Sequence, residues 1–442
     1  MDNTKRADGA KTGKLPRGKR MIFAITLLVA AVLFLELASW FMYLAVRGRR
    51  FSYSEMKEAM TDAAGVDLMA ASEMEEDALG EFHWGDFIEV THPYVGYVAN
   101  PKNKGIAISD HGFISDIDSI QKRSKDTIII GISGGSFARQ MYTYARTTLV
   151  ETLAPLEKEV VMVNMGMGGY KQPQQLAALT YLLALGAEFD IVVNLDGFNE
   201  VALPYAENLR KGVFPAFPRG WYYRVANLNE LDVMTKLARL ELLNRSRKEW
   251  AGRCVGAGVY RSTSLSLVWR ARDRSMEKEI NEIRLAINEY RASALAKYAS
   301  TGPAFKYEND IQYFRHLADL WQRGSLQMHN LCNGNDIRYY HFLQPNQYVE
   351  GSKPMSEEER KIAINPRQPY RHGVLVGYPM LRESGKELIA QGVDFNDLAL
   401  IFSDVEEIVY RDDACHLNER GYAIIADRIG KTILEDPERR EK

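Results

Sequence analysis

Cysteine is scarce. Three of them (Cys254, Cys332, Cys415) in 442 residues are too few and too scattered for a zinc module or a disulfide framework. The eight histidines show no H-x-x-x-H or H-E-x-x-H spacing, so a metal site has no support and no cofactor is expected. The G-x-x-x-x-G-K-[ST] loop of an NTPase is missing as well. Charge of one sign is not in excess: the formal net charge is -2. The single dense basic cluster lies in the first 20 residues, so no nucleic-acid partner is expected. What remains is a globular composition, 46% hydrophobic and 26% charged, long enough for one large domain or two ordinary ones.

A long apolar run is present. Residues 1–20 form a basic tail with Lys5, Arg6, Lys11, Lys14, Arg17, Lys19 and Arg20, expected to be disordered and cytosolic. Met21 to Val46 follows, MIFAITLLVAAVLFLELASWFMYLAV, with Glu36 its one ionisable residue. A bilayer needs about 20 apolar residues, so this run reads as a transmembrane helix and an uncleaved anchor. Trp40 and Tyr43 lie near its end, where interfacial aromatics belong. The flanking charges favour a cytosolic N-terminus, with the remainder outside the cytoplasmic membrane. Arg47, Arg49 and Arg50 narrow that bias. Glu36 is expected near the outer interface or against another helix.

Residues 47–124 read as a connector, rich in alanine, methionine and acids, then a small β-hairpin within Trp84 to Ser115. The main domain, 125–434, begins with TIIIGISGGSFARQ, Thr127 to Gln140. A β-branched run, a glycine turn and a helix start predict a buried strand that presents Ser136 at the sheet edge. The free N–H groups of the next helix would lie beside it. Glu159–Met165 and Phe189–Leu195 predict further strands, with a helix from Gln172 to Leu185 between them. Asp336–Phe342 and Leu398–Phe402 continue the strand series. Helices are expected near Gly373–Gln391 and Glu419–Leu434, and 435–442 is a tail. Alternation of this kind indicates an α/β fold, a doubly wound, mostly parallel sheet flanked by helices. A largely helical insertion is expected over about 201–324. It includes helical periodicity in Met276–Tyr298 and Asp310–Leu331, and the aromatic loop at Trp221, Tyr222 and Tyr223. That loop either lines an acyl or carbohydrate site or packs as core.

In doubly wound sheets functional groups gather at the C-terminal strand ends. Four such ends carry useful groups: Ser136, Gly169, Asn199 and the Asp413/His416 pair. His416 would take the proton from Ser136 and Asp413 would orient the imidazole. The N–H of Ser136, the N–H of Gly169 and the amide of Asn199 would hold an oxyanion. Each has a plainer alternative: Ser136 as a helix cap, Asn199 and the glycines as turn residues, His416 as a surface histidine. Arg139, one turn into the helix, and Tyr170 are candidate substrate contacts. Cys332 precedes its strand, at the far end of the sheet from Cys415, which leaves Cys254 as the candidate for a bridge to Cys415.

The four blocks resemble the SGNH, or GDSL-like, hydrolases. Gly134-Gly135-Ser136 is similar to the family's G-D-S block, and Asn164-Met165-Gly166-Met167-Gly168-Gly169 to N-x-G-x-x-G. Gly197-Phe198-Asn199-Glu200 is similar to G-x-N-D, and Asp413-Ala414-Cys415-His416 to D-x-x-H. That last spacing favours Asp413 over its competitor Asp412. Gly135 and Glu200 depart from the family's aspartates. The resemblance covers about residues 125–434 outside the insertion. It implies a flavodoxin-like three-layer fold and a serine esterase acting through an acyl-serine. Expected substrates are O-acyl groups of envelope or exported polysaccharide, or lipid esters. An O-acyltransferase using the same residues is the second reading. A non-catalytic envelope assembly or glycan-binding protein on an inactive scaffold is the third.

Overall fold

The structure is a computed structural model, and it describes residues 17–64, 89–101, 106–222, 224–225, 231–289 and 297–436. Most of the basic tail, the acidic part of the connector with Trp84, Tyr223 of the aromatic loop, residues 290–296 and residues 437–442 lie outside the described residues. The chain divides into two compact units, Met1–Val66 with Ala238–Asn288, and Asp67–Leu237 with Glu289–Lys442.

In the first unit, helix α1 (Arg17–Arg47) starts four residues before the apolar run. Its Met21–Arg47 stretch is long and apolar enough to cross a membrane, consistent with a membrane-anchoring segment. Helix α2 (Tyr53–Ala64) buries Met56 and Met60. Helix α6 (Leu231–Gly256) carries Ala251 and Cys254, and helix α7 (Thr263–Glu289) carries Trp269. These side chains form one small core with Phe51, against which Trp40 and Tyr43 of α1 pack.

In the second unit a short hairpin pairs β1 (Glu89–His92) antiparallel with β2 (Gly96–Ala99). The main sheet has five strands: β3 (Thr127–Gly134), β4 (Glu159–Asn164), β5 (Ile191–Asp196), β6 (Arg338–Leu343) and β7 (Asp394–Asp397). All pairings are parallel and the order is β4-β3-β5-β6-β7. This is the doubly wound order in which the chain reverses direction beside the first strand, leaving a crevice at its C-terminal end. β5 is buried along its whole length, as a strand covered on both faces must be.

Two buried clusters lie on the two faces. On one, α3 (Ser136–Thr152) and α10 (Glu419–Glu435) pack together through Phe137, Met141, Tyr422 and Ile425. On the other, α4 (Gln174–Ala184), α5 (Phe198–Leu203), α8 (Asp310–Asn333) and α9 (Arg371–Ala390) cover the sheet through Leu179, Val201, Trp321 and Leu381.

Three expectations change. The last strand is Asp394–Asp397, ahead of the apolar Leu398–Phe402. There the Asp397 carboxylate accepts from Ala399 N at 2.9 Å and turns the chain, so Leu398 and Phe402 are buried from a turn. Helix α8 starts at Asp310, inside the segment read as an insertion, and returns the chain from β5 to β6. Cys254, Cys332 and Cys415 are all buried and none is in a disulfide, so the bridge offered between Cys254 and Cys415 does not form.

Candidate active site

Gly134 ends β3 with φ +144, and a Cβ there would lie 2.2 Å from the Leu195 carbonyl oxygen. Only glycine fits, and the sharp turn it permits makes Ser136 the first residue of α3. The serine is 5% exposed. Its own N–H, like that of Gly169, donates to no protein acceptor among the described residues.

His416 comes from the loop between β7 and α10, closed by the Tyr410–Leu417 bridge. Its Nε2 lies 2.9 Å from Ser136 Oγ. Its Nδ1 lies 2.7 Å from Asp412 Oδ2. Nε2 on the hydroxyl and Nδ1 on the carboxylate is the ring orientation that general-base catalysis needs.

The carboxylate is that of Asp412, which corrects the expectation of Asp413. The other oxygen of Asp412 accepts from three successive backbone N–H groups, Ala414, Cys415 and His416, at 2.9, 3.0 and 3.1 Å. That wrap turns Asp412 into the loop and Asp413 out of it. Asp413 accepts instead from Asn365 Nδ2 and Gln368 Nε2, each at 2.6 Å.

The remaining blocks meet at the same edge. Asn164 shapes the glycine loop, its Oδ1 accepting from Gly166 N at 2.9 Å. Gly169 has φ +73. Asn199 Nδ2 donates to the Tyr170 carbonyl at 2.8 Å. The same nitrogen lies over Gly135, where an added Cβ would be 2.1 Å away. An aspartate at position 135 would therefore displace the Asn199 amide. Glu200 caps α5 with Oε2 accepting from Gly197 N at 2.8 Å, and its Oε1 accepts from Gln175 Nε2 at 2.9 Å. Burial first, then the Asp196 charge, hold the Glu200 carboxyl well above the usual carboxylate range.

The two candidate substrate contacts fare differently. Tyr170 is fully buried, with its hydroxyl given to the Tyr97 carbonyl. Its ring belongs to the core, and what it brings to the site is its backbone carbonyl. Arg139 is 7% exposed, and no acceptor pairs with its guanidinium among the described residues.

Sequence reasoning gave no role to Arg219 and Lys171. The Arg219 side chain lies on Gly169, within 2.5 Å of where a Cβ would be. Glu207 holds its Nε at 3.1 Å. Lys171 is fully buried and donates to the carbonyls of Pro215 and Phe217, both at 2.6 Å. Desolvation lowers its pKa to about 7, against the pull of Glu200 and Glu207. The aromatic loop is therefore pinned over the glycine loop. Neither role had a local signature, because each partner is a backbone carbonyl or a carboxylate distant in sequence.

A second serine–histidine–aspartate chain lies wholly inside the core. Ser325 Oγ is 2.7 Å from His341 Nδ1, and His341 Nε2 is 2.9 Å from Asp196 Oδ1. Networks of this kind support an enzyme with a serine-nucleophile hydrolytic mechanism. Here the ring orientation is reversed and Ser325 has no exposed surface. Trp321 Nε1 and Asn194 Nδ2 also donate to Asp196, at 2.7 and 2.8 Å. That set fixes the end of β5, from which the Asn199 turn springs. Among the described residues no group of three or more metal-ligating side chains occurs.

No protein-family model matches the chain, and no curated protein matches it. Among solved structures, it is similar to a GDSL-like lipase from Bacteroides thetaiotaomicron at 10% identity and TM-score 0.34, over 72% of this chain and 93% of that one. It is also similar to a lipase/acylhydrolase from Enterococcus faecalis at 11% identity and TM-score 0.31, over 69% and 95%. Likeness at this level is slight.

Proposed function

We propose that the chain is a membrane-anchored serine esterase of the SGNH type, with Ser136 as nucleophile, His416 as general base and Asp412 as its orienting carboxylate. The observation that carries this reading is His416 bridging Ser136 Oγ at 2.9 Å and Asp412 Oδ2 at 2.7 Å through the correct ring nitrogens. Ser136 Oγ attacks the ester carbonyl carbon while His416 Nε2 takes its proton. The tetrahedral oxyanion is met by the N–H of Ser136, the N–H of Gly169 and the Asn199 amide. His416 returns the proton to the departing alkoxide, leaving an acyl-serine. Water, deprotonated by His416, then releases the acid.

Arg139, buried at 7% exposure and one turn from Ser136, would meet an anionic group of the substrate, since a guanidinium in that setting gains most from a charged partner. With the N-terminus cytosolic, the catalytic unit stands on the outer side. O-acyl groups of envelope or exported polysaccharide, or lipid esters, are then the substrates within reach.

The test is labelling of the full chain in detergent with a fluorophosphonate, beside Ser136→Ala and His416→Ala. Labelling that needs both residues is the expected result. Labelling that survives Ser136→Ala, or none at all in a folded protein, would overturn the assignment.

A further inference from the structure

We propose that the cationic cleft where α1 ends binds the headgroup of an anionic phospholipid. The proposal rests on the reading of α1 as a membrane anchor. A cavity of about 330 Å³ opens between the end of α1 and the first turns of α7. Four arginines line it, Arg47 and Arg49 from the α1 side and Arg270 and Arg274 from α7, over an apolar floor that includes Val46 and Leu267. Glu55 matches Arg49 at 2.9 Å. Arg47, Arg270 and Arg274 have no carboxylate partner among the described residues.

Glu36 sets the depth of this cleft. It lies within the apolar stretch and accepts from Thr263 N at 2.8 Å, Ser264 N at 3.4 Å, and the hydroxyls of Ser262 and Ser264. A carboxylate in an apolar span is costly unless it is paired, and the first N–H groups of α7 supply the pairing. The start of α7 is thereby fixed beside α1. Arg47 lies eleven residues after Glu36, and Arg274 eleven after Thr263, so both are about 16 Å further along their helices. The two helices run through the same depth and bring their arginines to the same level. Leu265 and Val268, 53% and 62% exposed, stand on α7 between these levels, where an acyl chain would be their neighbour.

An apolar floor that includes Val46 and Leu267 beneath a cationic rim fits a lipid whose phosphate carries a net negative charge. A water-soluble phosphate would have no use for the floor. The same role accounts for arginines on a flank where the positive-inside bias disfavours them.

The test uses the full chain in nanodiscs of mixed phosphatidylcholine and phosphatidylglycerol, released into detergent for native mass spectrometry. Retained phosphatidylglycerol, in preference to phosphatidylcholine, is the expected result. The Arg270→Gln/Arg274→Gln variant should lose that adduct by roughly tenfold, with circular dichroism and melting unchanged. Equal retention of the two lipids by the unmutated protein, or an undiminished adduct in the variant, would overturn the proposal. So would displacement of the lipid by millimolar glycerol phosphate, which would mark a site for free anions. Flotation with vesicles of phosphatidylcholine alone tests the anchor separately. A chain that floats without lipid preference loses only the headgroup site, and one that does not float loses the anchor.

Discussion

Asp412 Oδ2 stands 2.7 Å from His416 Nδ1, four residues along one tight loop, while its neighbour Asp413 is bonded to Asn365 and Gln368. Both aspartates are close to the histidine in sequence, and only one orients it. Asp412→Asn should lower kcat by about 10³–10⁴-fold, because an amide holds the imidazole in the wrong tautomer. Asp413→Asn should stay within about tenfold. Steady-state hydrolysis of a p-nitrophenyl ester by both variants decides the matter; the reverse order would return the role to Asp413.

The two serine–histidine–aspartate chains make opposite predictions. Ser136→Ala should abolish fluorophosphonate labelling and leave the melting temperature nearly unchanged. Ser325→Ala should leave labelling per folded molecule intact. It should lower stability by about 1–3 kcal/mol, because His341 Nδ1 loses its 2.7 Å partner inside the core. Labelling and thermal melts on the same two samples separate a reacting serine from a supporting one.

How far the sequence could be read follows from where each signal lay. The β-branched runs of β3, β4 and β5 are continuous, and each is buried toward its C-terminal end, so they read as parallel strands directly. β7 is short and mostly polar, DFND, and the stronger apolar run just after it drew the assignment. α8 read as helix but not as the crossover. What ties it to the sheet is Trp321 on Asp196, a contact across 125 positions that no local pattern encodes. Ser136 and His416 could be paired because each lies in a recognisable short block beyond a strand. Asp412 could not be told from Asp413, since the choice rests on which carboxylate the loop N–H groups wrap. Arg219 and Lys171 act through tertiary contacts alone.

Gly135 offers a test of the proposed oxyanion site. A Cβ there would lie 2.1 Å from Asn199 Nδ2, so any side chain pushes the amide off its place. Gly135→Asp should lower kcat by about 10²–10³-fold with KM little changed, the pattern for losing a donor used only in the transition state. Asn199→Ala should do the same, and the double variant should cost little more than either alone. Full additivity would mean that the two residues act separately, and Asn199 would lose its assigned role.

Lys171 predicts a pH dependence of stability in the loop that carries Gly169. The unfolded chain holds this proton up to the ordinary lysine value of 10.5, the folded chain only to about 7. Between those values the unfolded state binds more protons, so the contribution of Lys171 rises with pH across that window. Below about pH 7 both states are protonated, and the burial of the charge costs its full amount. Lys171→Met removes the titration together with two hydrogen bonds to Pro215 and Phe217. The stability difference, wild type minus variant, should therefore increase from about pH 7 to pH 10 and be level below that range. Denaturant midpoints at several pH values measure it. A flat difference throughout would mean that the folded chain holds the proton as firmly as the unfolded one. The aromatic loop would then be pinned by a full ammonium charge, stabilised by Glu200 and Glu207 as much as burial opposes it.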